Sequence, residues 1–342
     1  MKKSVFVFRL SNELPSIAYS ELRSVLVADV PIARILDKFD EFVFVDITAK
    51  DVAKVYERTS LVIEVGELID VIDEDAVFDF IKSLRSENDY KNLCVQLDAI
   101  RGFGKKELIR ALTTFLQDIG ISFNKRCQNI VKIASVNGII IVYKVLYRRR
   151  KIKFDAREPH KRPCYRPGTM KPYLARALVN LAQIPSDGTQ IMLDPFCGVG
   201  GIVLEACNMN IKALCSDLDS NMVLCAKKNI EFFNCTNFVE VLLADATKAF
   251  LKSLSIDAIV TDPPYGRQSI PRGSSLKNLI EGFISNAANT LRSKRRMVFA
   301  IPIEFEDYVD ALLSDYGFSV TEKHLNMVHG SLTRVIYVAV KT

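Results

Sequence analysis

Asp262-Pro263-Pro264-Tyr265 is the segment of this 342-residue chain whose residue types are best suited to chemistry. Two consecutive prolines fix the backbone and remove two N–H donors, so the Asp262 carboxylate and the Pro263 carbonyl stand as acceptors in a rigid array. Such an array fits an NH2 group on a planar base. Accepting its hydrogens turns the amine toward an electrophile and disperses positive charge as it develops. Tyr265 adds a flat face on which a base stacks. At ordinary residue usage this tetrapeptide arises by chance in about one such chain in a thousand, so it is the most specific signal in the sequence.

A second set of residues fits a small charged ligand. Asp194-Pro195-Phe196-Cys197-Gly198-Val199-Gly200-Gly201 places glycines where backbone must approach a ligand closely, just before a helical pattern. Val203 departs from the GxGxxG spacing and disfavours a nicotinamide or flavin dinucleotide. Asp194 would repel a pyrophosphate, but it suits a ligand that carries an amino group and a sulfonium. Asp217, in Ser216-Asp217-Leu218-Asp219, stands where a carboxylate accepts both hydroxyl protons of a ribose, whereas Asp219 fits a helix cap. Asp245, in Ala244-Asp245-Ala246, is placed to accept a hydrogen bond from an adenine amino group. Cys197 reads as a small packing residue. Without an HxxxH or CxxC pair, no metal site is expected.

The elements that must position these residues follow from hydrophobic periodicity. From residue 173 onward strand and helix patterns alternate, with strands at 190–194, 211–216, 238–243, 256–261, 296–301, 317–323 and 332–340. Each candidate acid then falls just after a strand of a mostly parallel sheet, where ligands of such sheets bind. The first half reads as α+β: strands at 4–10, 32–39 and 41–47 around a helix at 15–28, then helices near 73–84 and 105–118 with strands at 93–100, 130–135 and 139–146. The expected segments are an N-terminal region over 1–60, a second α+β region over 61–146, an extended basic connector over 147–172 with four prolines, and the α/β domain over 173–342.

Charge divides along the same lines. Residues 1–92 carry 12 Lys and Arg against 18 Asp and Glu, whereas residues 93–146 carry eight against three and residues 147–172 ten against two. Positive charge concentrated in this way is the footprint of a polyanion partner. Arg101, Lys105 and Lys106, then Arg148, Arg149, Arg150, Lys151, Arg162 and Arg166, are the candidate phosphate contacts, with Arg267 beside the target base. The absence of a long apolar run argues against a membrane span. Eight scattered cysteines suggest reduced thiols in a cytosol.

The two motif segments resemble the S-adenosylmethionine-dependent amino-group methyltransferases. With a THUMP-like stretch near 93–146 and the run Arg166-Pro167-Gly168-Thr169-Met170-Lys171-Pro172-Tyr173 between, the arrangement resembles the archaeal tRNA (guanine-N2)-methyltransferases acting at guanine 10. The resemblance implies a Rossmann-like catalytic domain preceded by a THUMP-containing RNA-binding region, whose first 60 residues are ferredoxin-like. It implies S-adenosylmethionine held near Thr169, Asp194, Pro195, Cys197, Gly198 and Gly200, its ribose at Asp217 and its adenine at Leu218, Asp245 and Ala246. The target guanine falls at Asp262, Pro263, Pro264 and Tyr265. Direct transfer to N2 would give N2-methylguanosine and its dimethyl form, in the cytoplasm, on tRNA; some relatives use a small activator protein. Another tRNA guanine such as position 6, guanine-N2 of rRNA, or a non-catalytic RNA-binding protein on this fold are the other readings of the same residues.

Overall fold

The computed structural model describes residues 4–86, 94–98, 105–118, 130–149, 152–264, 275–329 and 332–342. The first half runs β1 (Ser4–Leu10), α1 (Pro15–Asp29), β2 (Arg34–Phe39), β3 (Phe42–Ile47), α2 (Ala49–Arg58), β4 (Val62–Asp73) and α3 (Val77–Ser86). It continues with β5 (Cys94–Asp98), α4 (Lys105–Asp118), β6 (Ile130–Val136) and β7 (Ile139–Arg148). After α5 (Ile152–Asp155) come α6 (Pro172–Leu181), β8 (Ile191–Asp194), α7 (Gly201–Cys207), β9 (Lys212–Asp217), α8 (Ser220–Phe232), β10 (Val239–Leu243) and β11 (Ile256–Thr261). The chain ends with α9 (Leu276–Thr290), β12 (Leu291–Pro302), α10 (Glu306–Asp315), β13 (Phe318–His329) and β14 (Leu332–Lys341). It divides into two compact units: Met1–Asn12, Ile32–Glu57 and Val62–Arg149 form one, and Glu13–Pro31, Arg58–Leu61 and Arg150–Thr342 the other.

The first unit is built on one seven-stranded sheet in the order β2-β3-β1-β4-β7-β6-β5. β4 joins what the sequence separates at residue 60, because it pairs with β1 along one edge and with β7 along the other. Sequence patterning misses this strand, since Glu64, Glu67, Asp70 and Asp73 break its apolar alternation. Glu64 is nonetheless buried, held by Lys132 at 2.9 Å, Arg148 at 2.9 Å and the Tyr143 hydroxyl at 2.7 Å. The Asn137-Gly138 turn between β6 and β7 has positive φ at both residues, the conformation a two-residue hairpin needs. α3 and α4 cover one face through Val77, Ile81, Leu112 and Leu116 against Val131, Ile133, Ile140 and Val142.

The second unit carries a seven-stranded sheet in the order β10-β9-β8-β11-β12-β14-β13. β10, β9, β8, β11 and β12 pair in parallel, while β14 and β13 run antiparallel. Strand order reverses between β8 and β11, which is the switch point where open α/β sheets bind ligands. All six residues of β11 are buried, as a central parallel strand requires. Pro172 opens α6 at a position where its missing N–H is harmless. Asp219 caps α8 by accepting the Asn221 N–H at 2.8 Å.

Helix α1 belongs to this catalytic unit and not with the strands that flank it in sequence. Glu21, fully buried, accepts the Ser60 N–H, the Ser60 hydroxyl and the Leu61 N–H at 2.7 Å each and the Asn180 amide at 2.8 Å. Asp29 pairs with the buried Arg58 at 2.7 Å, and Arg58 bonds Asn180 of α6 at 3.0 Å. Amphipathic periodicity signals that α1 has a face to bury but not which sheet it covers.

Two further expectations change. The connector is not an extended strap: it forms α5 and a 3-10 turn at Pro159–Lys161, and the Cys164 N–H and C=O both bond the Asn229 side chain of α8 at 2.9 Å. Its prolines break helices without preventing a compact, hydrogen-bonded path. The cysteines are not free thiols, since Cys164–Cys225, Cys197–Cys215 and Cys207–Cys235 are disulfides. Their partners stand 61, 18 and 28 residues apart, so no short motif betrays them. Closing loops of this size contributes ~3–4 kcal/mol each.

Glu21→Ala should leave four donors without their acceptor and destabilise the catalytic unit by roughly 3 kcal/mol or more. Denaturant unfolding of the full chain, with amide exchange read at α6, checks this; unaltered α6 protection would detach α1 from that unit.

Candidate active site

The carboxyl ends of β8, β9, β10 and β11 bring Asp194, Asp217, Asp245 and Asp262 to one edge of the catalytic sheet. Asp194 ends β8 and is 1% exposed. Its Oδ1 accepts the Thr261 hydroxyl of β11 at 2.6 Å and the Phe196 N–H at 3.3 Å, while its Oδ2 has no partner. Burial pushes this carboxyl up to about 7, despite those two hydrogen bonds, with Asp217 and Asp262 adding repulsion. A buried oxygen left open beside a glycine turn fits a ligand ammonium.

The turn itself runs from Cys197 to Gly201. Gly198 and Gly200 have φ of +51° and +85°, where side chains are strained, and a Cβ on Gly198 would meet only open space. The Gly198 N–H donates to Asp217 Oδ2 at 2.8 Å and the Asp219 N–H to Asp217 Oδ1 at 2.9 Å. Asp217 therefore fixes the turn against β9, and each of its oxygens keeps a lone pair for a ribose hydroxyl. Leu218 beside it is 56% exposed, an apolar surface for a flat base. Asp245 Oδ1 accepts the Thr247 N–H at 2.9 Å and hydroxyl at 2.7 Å, which leaves Oδ2 against Lys248 at 3.2 Å. Buried Ala246 turns its carbonyl to the Asn286 amide at 3.0 Å. Thr169 packs over Gly201 and bonds the Arg166 carbonyl at 2.7 Å; Pro195 is buried beneath the turn. Together the open Asp194 oxygen, the glycine cradle and the Asp217 and Leu218 pair fit the ammonium, ribose and adenine of S-adenosylmethionine. Cys197 is tied to Cys215 of β9 and so presents no free thiol to the site.

Asp262 follows β11 directly, with Pro263 buried and Pro264 half-buried. Its Oδ2 is paired with Arg334 of β14 at 2.8 Å and its Oδ1 has no partner among the described residues. Burial pulls this carboxyl above the usual range, and the Arg334 guanidinium opposes that pull. Sequence reading misses Arg334; its signal is a cation inside the apolar run Leu332–Val340. Tyr265 and Arg267 lie outside the described residues.

Of the candidate phosphate contacts, Arg101, Arg150, Lys151 and the Lys105 side chain also lie outside the described residues. Lys106 on α4 and Arg166 are exposed. Arg162 corrects the expectation: it is 5% exposed, donates to the Arg157 carbonyl at 2.9 Å and packs against Gly201, where no RNA backbone reaches it. Arg148 and Arg149 line a cavity of about 400 Å³ in the first unit with Arg9 and Lys132, two cations that sequence reading passes over. Asp98 there pairs with Arg9 at 2.8 Å and Lys132 at 2.5 Å; against the upward pull of burial, these bring its carboxyl down to about 2. Arg9, Lys132 and Arg148 are thus held in place by the acids of the sheet.

Comparison with known proteins identifies the family. Residues 159–336 match the family described as UPF0020, RMKL-like methyltransferase domain. The tRNA (guanine(10)-N2)-dimethyltransferase of Methanothermobacter thermautotrophicus is 31% identical over 340 residues, covering 96% of this chain and 97% of that protein. The protein of the same name from Pyrococcus abyssi is 32% identical over 273 residues, covering 71% and 78%. Among solved structures, TrmN from Thermus thermophilus shares the fold, with a TM-score of 0.56 at 18% identity over 99% of this chain and all of that one. With its glycine turn, its strand-end carboxylates and Asp262-Pro263-Pro264 at the switch point, the chain belongs to the tRNA (guanine(10)-N2)-dimethyltransferase family of S-adenosylmethionine-dependent enzymes.

Proposed function

We propose that this chain methylates the N2 amino group of guanine 10 in tRNA, first once and then a second time. The observation that carries the reading is Asp262 Oδ1, an acceptor without a partner among the described residues, on backbone restricted by two prolines and beside the glycine turn and Asp194. When bound, S-adenosylmethionine supplies an electrophilic methyl group on its sulfonium. Asp262 Oδ1 and the Pro263 carbonyl accept the amine hydrogens, which aims the nitrogen and stabilises the charge it acquires. An amine that already carries one methyl keeps one hydrogen, and one acceptor still holds it. Asp194 takes the amino acid end of the cofactor, Asp217 the ribose, and Leu218 with Asp245 the adenine.

A guanine paired in a stem must leave the stack, at a cost of a few kcal/mol, which phosphate contacts elsewhere offset. The half-exposed Arg148, with Arg149 at the same cavity and the exposed Lys106 on α4, is suited to that grip, which supports reading this unit as the THUMP-like RNA-binding module. The work of such an enzyme is cytoplasmic, and among the described residues no helix is long and apolar enough to cross a membrane. A small activator protein would register as transfer that starts only on its addition.

Unmodified tRNA transcript with labelled S-adenosylmethionine should yield labelled N2-methyl and N2,N2-dimethylguanosine, and a transcript with adenine at position 10 should yield neither. Undiminished label in that transcript would move the site to another guanine, such as position 6; label only in rRNA would change the substrate class. Asp262→Ala should lower kcat by roughly 10²–10³-fold with cofactor affinity within a few-fold; full activity would refute the acceptor array.

Asp194 makes cofactor binding pH-dependent. Its carboxyl is pushed up to about 7 in the empty site, so below pH 7 it is mostly neutral and must release a proton to pair with an ammonium. Affinity measured by calorimetry should weaken below pH 7, toward tenfold per unit, level off above it, and lose this dependence in Asp194→Asn. A flat profile in the unsubstituted protein would place the ammonium elsewhere.

A further inference from the structure

The target amine needs an acceptor, and an acidic side chain serves only while it is ionised and pointed correctly. Asp262 meets neither condition unaided, because its surroundings favour the neutral acid and its carboxyl is free to rotate about the bond that bears it. The structure supplies what controls both. Arg334 lies on β14, which pairs with β12, which in turn pairs with β11; Asp262 follows the end of β11. Arg334 and Asp262 thus meet across β12 from strands two places apart in the sheet, a gap that a long cationic side chain suits.

We propose that Arg334 is a positioning residue for methyl transfer: by binding Asp262 Oδ2 it holds the carboxylate with Oδ1 open toward the amine. This rests on the reading of Asp262 as the amine acceptor. Arg334 is 5% exposed, and its Nη1 lies 2.8 Å from Asp262 Oδ2. Its Nε and Nη2 both donate to Asn326 Oδ1 of β13, at 3.3 Å and 2.8 Å. The guanidinium plane is therefore fixed from two sides, and with it the carboxylate. Asn326 is the residue opposite Arg334 in the β13–β14 register and is itself buried, so the brace is part of the sheet.

Among the described residues, the charged groups that face Asp262 are Arg334 from β14 and Asp194 from β8; the nearby Asn326 of β13 and Thr261 of β11 are neutral. Removing the Arg334 charge leaves burial and Asp194 both favouring protonation of Asp262. A protonated Asp262 would donate where it has to accept. Activity that needs the ionised form should then be lost from the acid side at a higher pH than in the unsubstituted enzyme.

The test compares Arg334→Met, Arg334→Lys and Asn326→Leu in the full chain, by steady-state methylation of tRNA across pH and by calorimetry with S-adenosylmethionine. Arg334→Met should lower kcat by roughly 10²-fold with the cofactor Kd within about twofold. The acid limb of its kcat profile should move up by about one pH unit or more. Arg334→Lys should return the acid limb toward its original position while restoring kcat only in part, because an ammonium cannot bond Asp262 and Asn326 as a fork. Asn326→Leu should lower kcat with the limb unmoved; it carries the test if Arg334→Met does not fold, and unchanged kcat there would then overturn the proposal. An unmoved acid limb in a folded Arg334→Met overturns it as well. Asp262→Asn separates the two readings: if that variant is fully active, the acceptor reading has failed; if it is inactive while Arg334→Met titrates like the unsubstituted enzyme, only the role of Arg334 has.

Discussion

A carboxyl group taken out of water tends to keep its proton, and the catalytic edge of this protein is arranged around that tendency. Asp194, Asp217 and Asp262 are all pulled above the ordinary range by burial, and each meets the pull differently. Asp217 is steadied by backbone N–H groups from Gly198 and Asp219, and so shapes the glycine turn. Asp194 has the Thr261 hydroxyl on one oxygen and nothing on the other, a site completed by a cation that arrives with the ligand. Asp262 has a permanent cation, Arg334, on one oxygen and an open second oxygen. Cofactor recognition and amine recognition are thus two answers to one electrostatic constraint, set side by side on β8 and β11.

The fold exists to hold those positions. β11 is buried throughout and lies between β8 and β12, so the backbone leading into Asp262 has no freedom before the prolines restrict it further. On the far side of the sheet order, β14 and β13 add an antiparallel pair whose Arg334, braced by Asn326, reaches back to that aspartate's carboxylate. Acids on two strands do the equivalent work in the first unit, where Glu64 of β4 and Asp98 of β5 hold Lys132, Arg148 and Arg9 at the cavity.

Much of the catalytic half is legible in the sequence because its elements are locally determined. The strands at 4–10 and 256–261 are read to the residue, and Asp219 as a helix cap follows from its place before an apolar period. What escapes is non-local. Nothing near Pro15–Asp29 says that Glu21 will be satisfied by Ser60, Leu61 and Asn180, so α1 is read with its neighbours in sequence. β4 is missed because its acids have partners up to 84 residues away. Arg162 is counted as a phosphate contact because charge counting does not see burial, and the disulfides are missed because their spacing follows the packing of β9 and α8 around the turn. Arg334 is invisible for the same reason: its meaning lies 72 residues upstream.

The central claim concerns one oxygen atom, and a structure of the chain with tRNA and an unreactive analogue of S-adenosylmethionine tests it most directly. The account predicts guanine 10 extruded from its stem, with N2 at about 2.7–3.2 Å from Asp262 Oδ1 and Oδ2 still on Arg334. A guanine whose N2 lies beyond hydrogen-bond reach of both Asp262 and the Pro263 carbonyl would contradict it.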